Sequence, residues 1–183
     1  EKRGMEDHPH LGFNYRISEL NAAVGVAQTR KVPAIKEKNR FNKNFMVNEL
    51  SKTPGISFAR LADPDGDSAT FLNLMLPDPE TAKRTVDEMN KAGVVGFDYW
   101  FLNNYHFINQ WEHIKEMKTV SKLHVQVSGS PQDYKNLSLP KSQEVVGRLI
   151  SFGVKYKWTE EDMKNLAGKI SECVTRAMKL VSA

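Results

Sequence analysis

Cysteine is nearly absent: Cys173 stands alone in 183 residues, which excludes an internal disulfide. Long apolar runs are absent as well. None approaches the ~18 residues that a membrane-crossing helix needs, and no secretory signal is visible, so a cytoplasmic location is the expectation and membrane insertion is not. Charge of one sign is not concentrated anywhere. The 26 basic residues oppose 22 acidic ones for a net charge of +4, and they are spread along the chain rather than gathered into the stripe that a nucleic-acid binder shows. Internal repeats and low-complexity segments are missing too. Metal-ligand sets are poorly formed. Pro9 separates His8 from His10 with no Cys, Asp or Glu to complete a zinc set nearby. In Asp63-Pro-Asp-Gly-Asp67 the glycine falls between the second and third Asp, and the twelfth position is Leu74, whereas an EF-hand loop needs Glu there. A hairpin turn accounts for that stretch better.

What is present is a core. Hydrophobic residues make up 40% of the chain, enough for one domain or a large domain with an arm. The periodicity predicts helices near 17–30, 33–52, 80–92 and 159–180. In the first, Ile17, Leu20, Val24 and Ala27 share a face, Ser18 is the candidate N-cap, and Ala22, Ala23 and Gly25 keep the helix thin enough for close packing at an interface. The second has Pro33 in its first turn and stops at Thr53-Pro54-Gly55. Ala82, Val86 and Met89 mark the inner face of the third, with Gly93 closing it. The fourth opens on Thr159 with Glu160, Glu161 and Asp162 in its first turn. Its seam is Met163, Leu166, Ile170, Cys173 and Ala177, which makes Cys173 a core residue. Strands are predicted near 56–61, 69–76, 94–100 and 150–156, forming one sheet.

Two constellations carry chemistry. The first is the polar entry to the first helix. Asn14 is suited to closing a turn there. Arg16 can hold a carboxylate or phosphate with two prongs, or pair with Glu19 or Asp7. The second is Tyr99-Trp100-Phe101-Leu102-Asn103-Asn104-Tyr105-His106 at the exit of a strand. Ring faces would contact sugar C–H groups, while Asn103 and His106 would take hydroxyls. Tyr99, Trp100 and Tyr105 can equally be core residues. The stretch from Phe101 to about Pro140 has no clear periodicity apart from a short helix over Gln110–Met117. An irregular segment of that length is usually functional or disordered, and this one is too aromatic for disorder.

The run Gly12-Phe-Asn-Tyr-Arg-Ile-Ser-Glu-Leu-Asn-Ala-Ala-Val-Gly-Val-Ala-Gln28 resembles the helix-entry motif of the DegT/DnrJ/EryC1/StrS sugar aminotransferases. The resemblance implies a fold type I enzyme that uses pyridoxal 5'-phosphate as a homodimer, with sites shared between subunits. At the position of Asn14 it implies an Asn that crosses the dimer to the cofactor phosphate of the partner subunit. In that family a Schiff-base lysine and a Gly-Glu-Gly-Gly run lie upstream of this motif. No such run is found here, and the chain opens on Glu-Lys-Arg-Gly. The expectation is therefore a C-terminal portion with no catalytic residue of its own, inactive alone and unable to hold the cofactor covalently. Residues 1–32 would be the end of the large domain and a dimer-interface segment, 33–55 a connecting helix, and 56–183 an α/β (α+β) small domain, mainly antiparallel sheet with helices on one face.

Most sugar aminotransferases carry a Tyr-Pro-x-Pro-x-His stretch where this chain has the proline-free aromatic run, with His106 at the histidine. Together with Asp63–Ser68, Leu139-Pro-Lys-Ser142 and Trp158-Thr159, that departure resembles one branch of the family. Its members move an amino group from glutamate to the C8 aldehyde of a 3,8-dideoxy-octulosonate sugar for lipopolysaccharide biosynthesis. On this reading Arg16, Tyr99, Trp100, Asn103 and His106 are candidates for sugar binding, Arg16 toward the sugar carboxylate. Three alternatives stand beside it: another keto-sugar substrate, a sugar dehydratase with histidine in place of the lysine, and a cofactor-bound sensor or structural homologue without turnover.

Overall fold

The computed structural model describes residues 16–103, 106–128 and 132–179. Two compact units divide between Ile35 and Lys36.

The first unit holds helix α1 (Glu19–Thr29). Ser18 is extended, and its Oγ accepts a hydrogen bond from the Asn21 backbone N–H at 3.3 Å, which satisfies one of the free donors of the first turn. No residue of α1 is buried, and Ile17, Leu20 and Val24 on its apolar stripe are 66%, 76% and 55% exposed. Helix α2 (Val32–Leu50) begins in this unit with Pro33 in its first turn.

In the second unit α2 buries Asn39, Asn42, Met46 and Leu50. Asn42 Nδ2 donates to the Lys155 carbonyl at 2.9 Å. After α2 the chain turns at Gly55, where φ is +85° and a Cβ would stand 2.3 Å from Met178 Sδ; only glycine meets both demands. Strands β1 (Ser57–Phe58), β2 (Phe71–Met75), β3 (Phe97–Asp98) and β4 (Leu149–Gly153) form one antiparallel sheet in the order β1-β2-β4-β3. The outer strands are shorter than the sequence predicts, for local reasons. Beyond Ala59 the chain is drawn onto α2. Arg40 donates to the Asp65 and Asp67 carbonyls, and Lys43 pairs with the Asp67 carboxylate at 2.6 Å. Burial raises the Asp67 pKa, but the Lys43 and Ala69 hydrogen bonds and the Lys43 and Arg40 charges outweigh it, leaving the carboxyl below its usual range. At the other edge Gly96 has φ +81°, and a 3-10 turn starts at Trp100, so only Phe97 and Asp98 lie in register.

Helix α3 (Pro79–Lys91) is fixed at both ends. Asp78 accepts from the Thr81 N–H and the Thr81 hydroxyl, both at 2.7 Å. At the far end Gly93, with φ +66°, donates to Asn90 O, and Val94 N donates to Met89 O, the paired bonds of a Schellman stop. The irregular stretch contains two 3-10 turns (Trp100–Leu102, Ile108–Gln110) and the single-turn helices α4 (Glu112–Lys115) and α5 (His124–Val127). Helix α6 (Pro140–Gly147), just before β4, has no counterpart among the sequence-based expectations. Only its last residue is buried, so it leaves little apolar period to read. Helix α7 (Glu160–Lys179) starts on a reciprocal cap: the Asp162 N–H donates to Thr159 Oγ1, and Asp162 Oδ2 accepts from the Thr159 N–H. Met163, Ile170, Cys173 and Ala177 are buried along its seam.

Strand alternation now decides the architecture. Leu72 and Leu74 of β2, Ile150 and Phe152 of β4, and Phe97 of β3 join Met46 and Leu50 of α2, Ala82, Val86 and Met89 of α3, and Met163, Ala167, Ile170 and Val174 of α7 in one core. Fully burying each such side chain contributes roughly 1.5–3 kcal/mol. The helices therefore cover one face of the sheet, the arrangement the sequence predicts.

Candidate functional site

The other face of the sheet carries the odd members of the same alternation. Asn73 stands opposite Ser151, and Ser151 opposite Asp98, in direct register across three neighbouring strands. Asp98 is exposed, whereas Ser151 is 2% exposed. The chain beyond β3 bears on it: the Trp100 indole Nε1–H donates to Ser151 Oγ at 2.6 Å, and Ser151 Oγ donates to Asn73 Oδ1 at 2.7 Å. The indole N–H can only donate, so the serine oxygen accepts from it, and the serine proton goes to the Asn73 amide oxygen. Asn73 then turns its amide N–H₂ away from Ser151.

Trp100 is held from both sides in the chain. Tyr99 before it points into the core at 9% exposure, and its hydroxyl donates to the Gly147 carbonyl at 2.7 Å. Burial, with the Glu80 carboxylate adding to it, pushes that phenol up to about 12, so it stays a neutral donor at ordinary pH. Phe101 after it packs between Tyr99 and Phe107, with ring centroids 5.9 and 5.7 Å away, and its carbonyl accepts from Gln110 Nε2. These contacts fix the backbone on both sides of the indole. His106 lies against Trp100 with centroids 4.1 Å apart and planes at 51°. Its Nδ1 is 3.4 Å from Asn103 Oδ1.

The structure thus brings Trp100, Asn103 and His106 together beside the polar row of the sheet. Tyr99 is a neighbour in sequence only; it lies in the core, with its hydroxyl engaged. Arg16, in the first unit, is exposed and has no ion-pair partner among the described residues, Glu19 included. Asn14 lies outside the described residues, as do His8, His10, Tyr15, Asn104 and Tyr105. Sequence reasoning missed Asn73 and Ser151. Their signal is a single polar residue inside each of two apolar strands, Phe-Leu-Asn-Leu-Met and Leu-Ile-Ser-Phe-Gly. Among the described residues no group of three or more His, Cys, Asp or Glu side chains could hold a metal ion, and no helix is long and apolar enough to cross a membrane. An aromatic ring pair flanked by amide groups is the chemistry that suits a polyhydroxylated ligand with C–H faces.

The sequence model of the DegT/DnrJ/EryC1/StrS aminotransferase family matches residues 1–171. The chain belongs to that family. A UDP-4-amino-4,6-dideoxy-N-acetyl-beta-L-altrosamine transaminase of Campylobacter jejuni is 26% identical to it over 141 residues, covering 76% of this chain and 35% of the relative. Among solved structures, DesI in the presence of its TDP-sugar product superposes with a TM-score of 0.61 at 19% identity, over 91% of this chain and 38% of that one. The shared fold is the mixed helix and antiparallel sheet arrangement of such an aminotransferase. The chain spans a little over a third of the length of both.

Proposed function

We propose that this chain is the sugar-binding part of a pyridoxal-phosphate-dependent sugar aminotransferase, with Trp100, Asn103 and His106 on the sugar. The observation that carries the reading is the tilted Trp100–His106 ring pair, set at the open face of the sheet in a member of an aminotransferase family. The bound cofactor would carry the amino group from glutamate to the sugar carbonyl. The described residues do not by themselves form a cradle for its phosphate. Arg16 is exposed, the Ser18 hydroxyl is occupied with Asn21, and the first turn of α1 carries Glu19. The phosphate contact is assigned to Asn14, acting on the partner subunit of a homodimer. Arg16 is assigned to a carboxylate of the substrate.

Residues 1–32 serve as the end of the large domain and the dimer-interface segment, residues 33–55 as the connector, and 56–183 as the small domain. The exposed apolar stripe of α1 supports an interface role for the first of these. For the acceptor we favour the C8 aldehyde of a 3,8-dideoxy-octulosonate, and hence a place in lipopolysaccharide assembly. The proline-free Tyr-Trp…Asn-Asn…His run supports that choice.

The test uses the full-length protein. Glutamate should convert the bound pyridoxal form to the pyridoxamine form, and an octulosonate aldehyde should return it. Return by a nucleotide-linked keto-sugar alone would change the substrate and keep the class. Sugar dehydration without amino transfer, or ligand binding without turnover, would overturn the aminotransferase reading. The shared site has its own test. Asn14→Ala should weaken cofactor binding by about tenfold or somewhat more, the loss of one charge-assisted hydrogen bond. Mixed with a subunit lacking the Schiff-base lysine, it should restore up to one active site per heterodimer. Proven heterodimers with no activity would remove the trans role of Asn14.

A further inference from the structure

The relay across the open face of the sheet ends on a group that neither the mechanism above nor the aromatic run accounts for. Ser151 is buried, and all its hydrogen-bonding capacity toward protein is directional. It accepts from Trp100 Nε1–H at 2.6 Å and donates to Asn73 Oδ1 at 2.7 Å. The indole can only donate, and the Ser151 hydroxyl donates in turn to the amide oxygen, which holds the Asn73 amide with its oxygen toward Ser151. Its Nδ2 has no partner among the described residues, although the side chain is half-buried. A donor fixed in this way, on an interior strand and linked through Ser151 to the ring that His106 packs against, reads an oxygen acceptor and rejects a donor-only group. An ammonium or guanidinium placed there would meet N–H against N–H.

We infer that Asn73 is a specificity-determining residue that donates to an oxygen of the sugar, and that Ser151 is a positioning residue that fixes both Asn73 and Trp100 without touching the ligand itself. The ligand group at this point belongs to the class of carbonyl, carboxylate or hydroxyl oxygens. The inference rests on the sugar-aminotransferase reading above and adds two residues and a polarity to it.

The test is made in the full-length holoenzyme with the aldehyde sugar that it accepts, by measuring the two half-reactions separately and by titrating the sugar against Trp emission without glutamate. Ser151→Ala removes the hub. It should raise the sugar KM roughly five- to tenfold, leave the glutamate half-reaction unchanged, and move the indole N–H resonance of Trp100 upfield. Ser151→Thr keeps the hydroxyl and should restore the sugar KM and the indole resonance. Asn73→Asp keeps an oxygen for Ser151 but puts a carboxylate where the N–H₂ stood, so it should weaken sugar binding more than Ser151→Ala does while the fold is retained. Unchanged sugar KM and unchanged sugar titration in both Ser151→Ala and Asn73→Asp, with glutamate turnover intact, overturns the inference and leaves the aminotransferase reading standing. If the wild-type protein shows no glutamate half-reaction, that reading fails, and the emission titration still decides whether Asn73 and Ser151 matter for sugar binding. A Trp100 indole resonance insensitive to Ser151→Ala also overturns it.

Discussion

The two faces of the sheet are built from the same strands and differ by one step of the alternation. On the helix-covered face Leu72, Leu74, Ile150 and Phe152 are at most 1% exposed, and none carries a polar side-chain atom. On the other face Asn73, Ser151 and Asp98 stand in a row, with Trp100 donating into it. Both faces hide side chains, but for different reasons. Phe152 is buried in the core that residues of α2, α3 and α7 share. Ser151 is just as hidden, yet its hydroxyl both accepts and donates a hydrogen bond, which is the condition under which a buried hydroxyl does not destabilise. One face therefore holds the fold together, and the other is free to hold a ligand. Strand alternation keeps the two tasks on separate residues.

The largest effect is expected on the covered face. Phe152→Ala should cost about 3–5 kcal/mol, the range for deleting a buried aromatic side chain, seen as a lowered denaturant midpoint. Any loss of sugar binding should follow loss of fold rather than precede it. A change under about 1 kcal/mol would mean that the helix face is not the core. A smaller effect is expected where α3 is anchored beside the sheet. Asp78→Ala removes two hydrogen bonds at the cap and should cost about 1 kcal/mol, read in the same experiment, with the sugar half-reaction unchanged when measured well below the melting temperature.

The smallest effect is in acid. The Asp78 carboxyl is held below its ordinary value of 3.8, first by the Thr81 N–H and hydroxyl bonds; Asp162 is held below it by its bonds to Thr159. A lowered folded-state pKa means that the unfolded chain binds the proton more readily. This stability is present above the ordinary carboxylate range and fades as the pH falls through and below it. Asp78→Asn should flatten the drop in melting temperature below pH 4. An unchanged acid limb would remove Asp78 from the account.

Much of the helix-covered face was legible in the sequence because it is periodic. Ala82, Val86 and Met89, or Met163, Ile170 and Cys173, announce their partners by spacing alone. Caps were legible for a related reason: Ser18 and Thr159 are local signals that need no knowledge of the tertiary fold. The edge strands were over-read, since alternation continues in the sequence after the chain has left the sheet at Ala59 and before it joins at Phe97. Helix α6 was not legible, because almost nothing of it is buried. The site was legible in part. Trp100, Asn103 and His106 belong to one short aromatic run. Asn73 and Ser151 are separated from it and from each other in sequence, and only the β2–β4–β3 register brings them together. The polar partner of the Trp100 indole is a property of the sheet order, which no local pattern carries.

On the proposed reading Trp100 serves recognition while its neighbour Tyr99 serves the core, and Trp100→Ala in the full-length protein separates the two roles. The expected result is a sugar half-reaction whose KM rises about tenfold or more, the usual consequence of truncating an aromatic anchor. The glutamate half-reaction should be unchanged and the melting temperature should stay close to that of the wild type. Equal losses in both half-reactions together with a clearly lowered melting temperature would contradict it, and would place Trp100 among the residues that only hold the fold together.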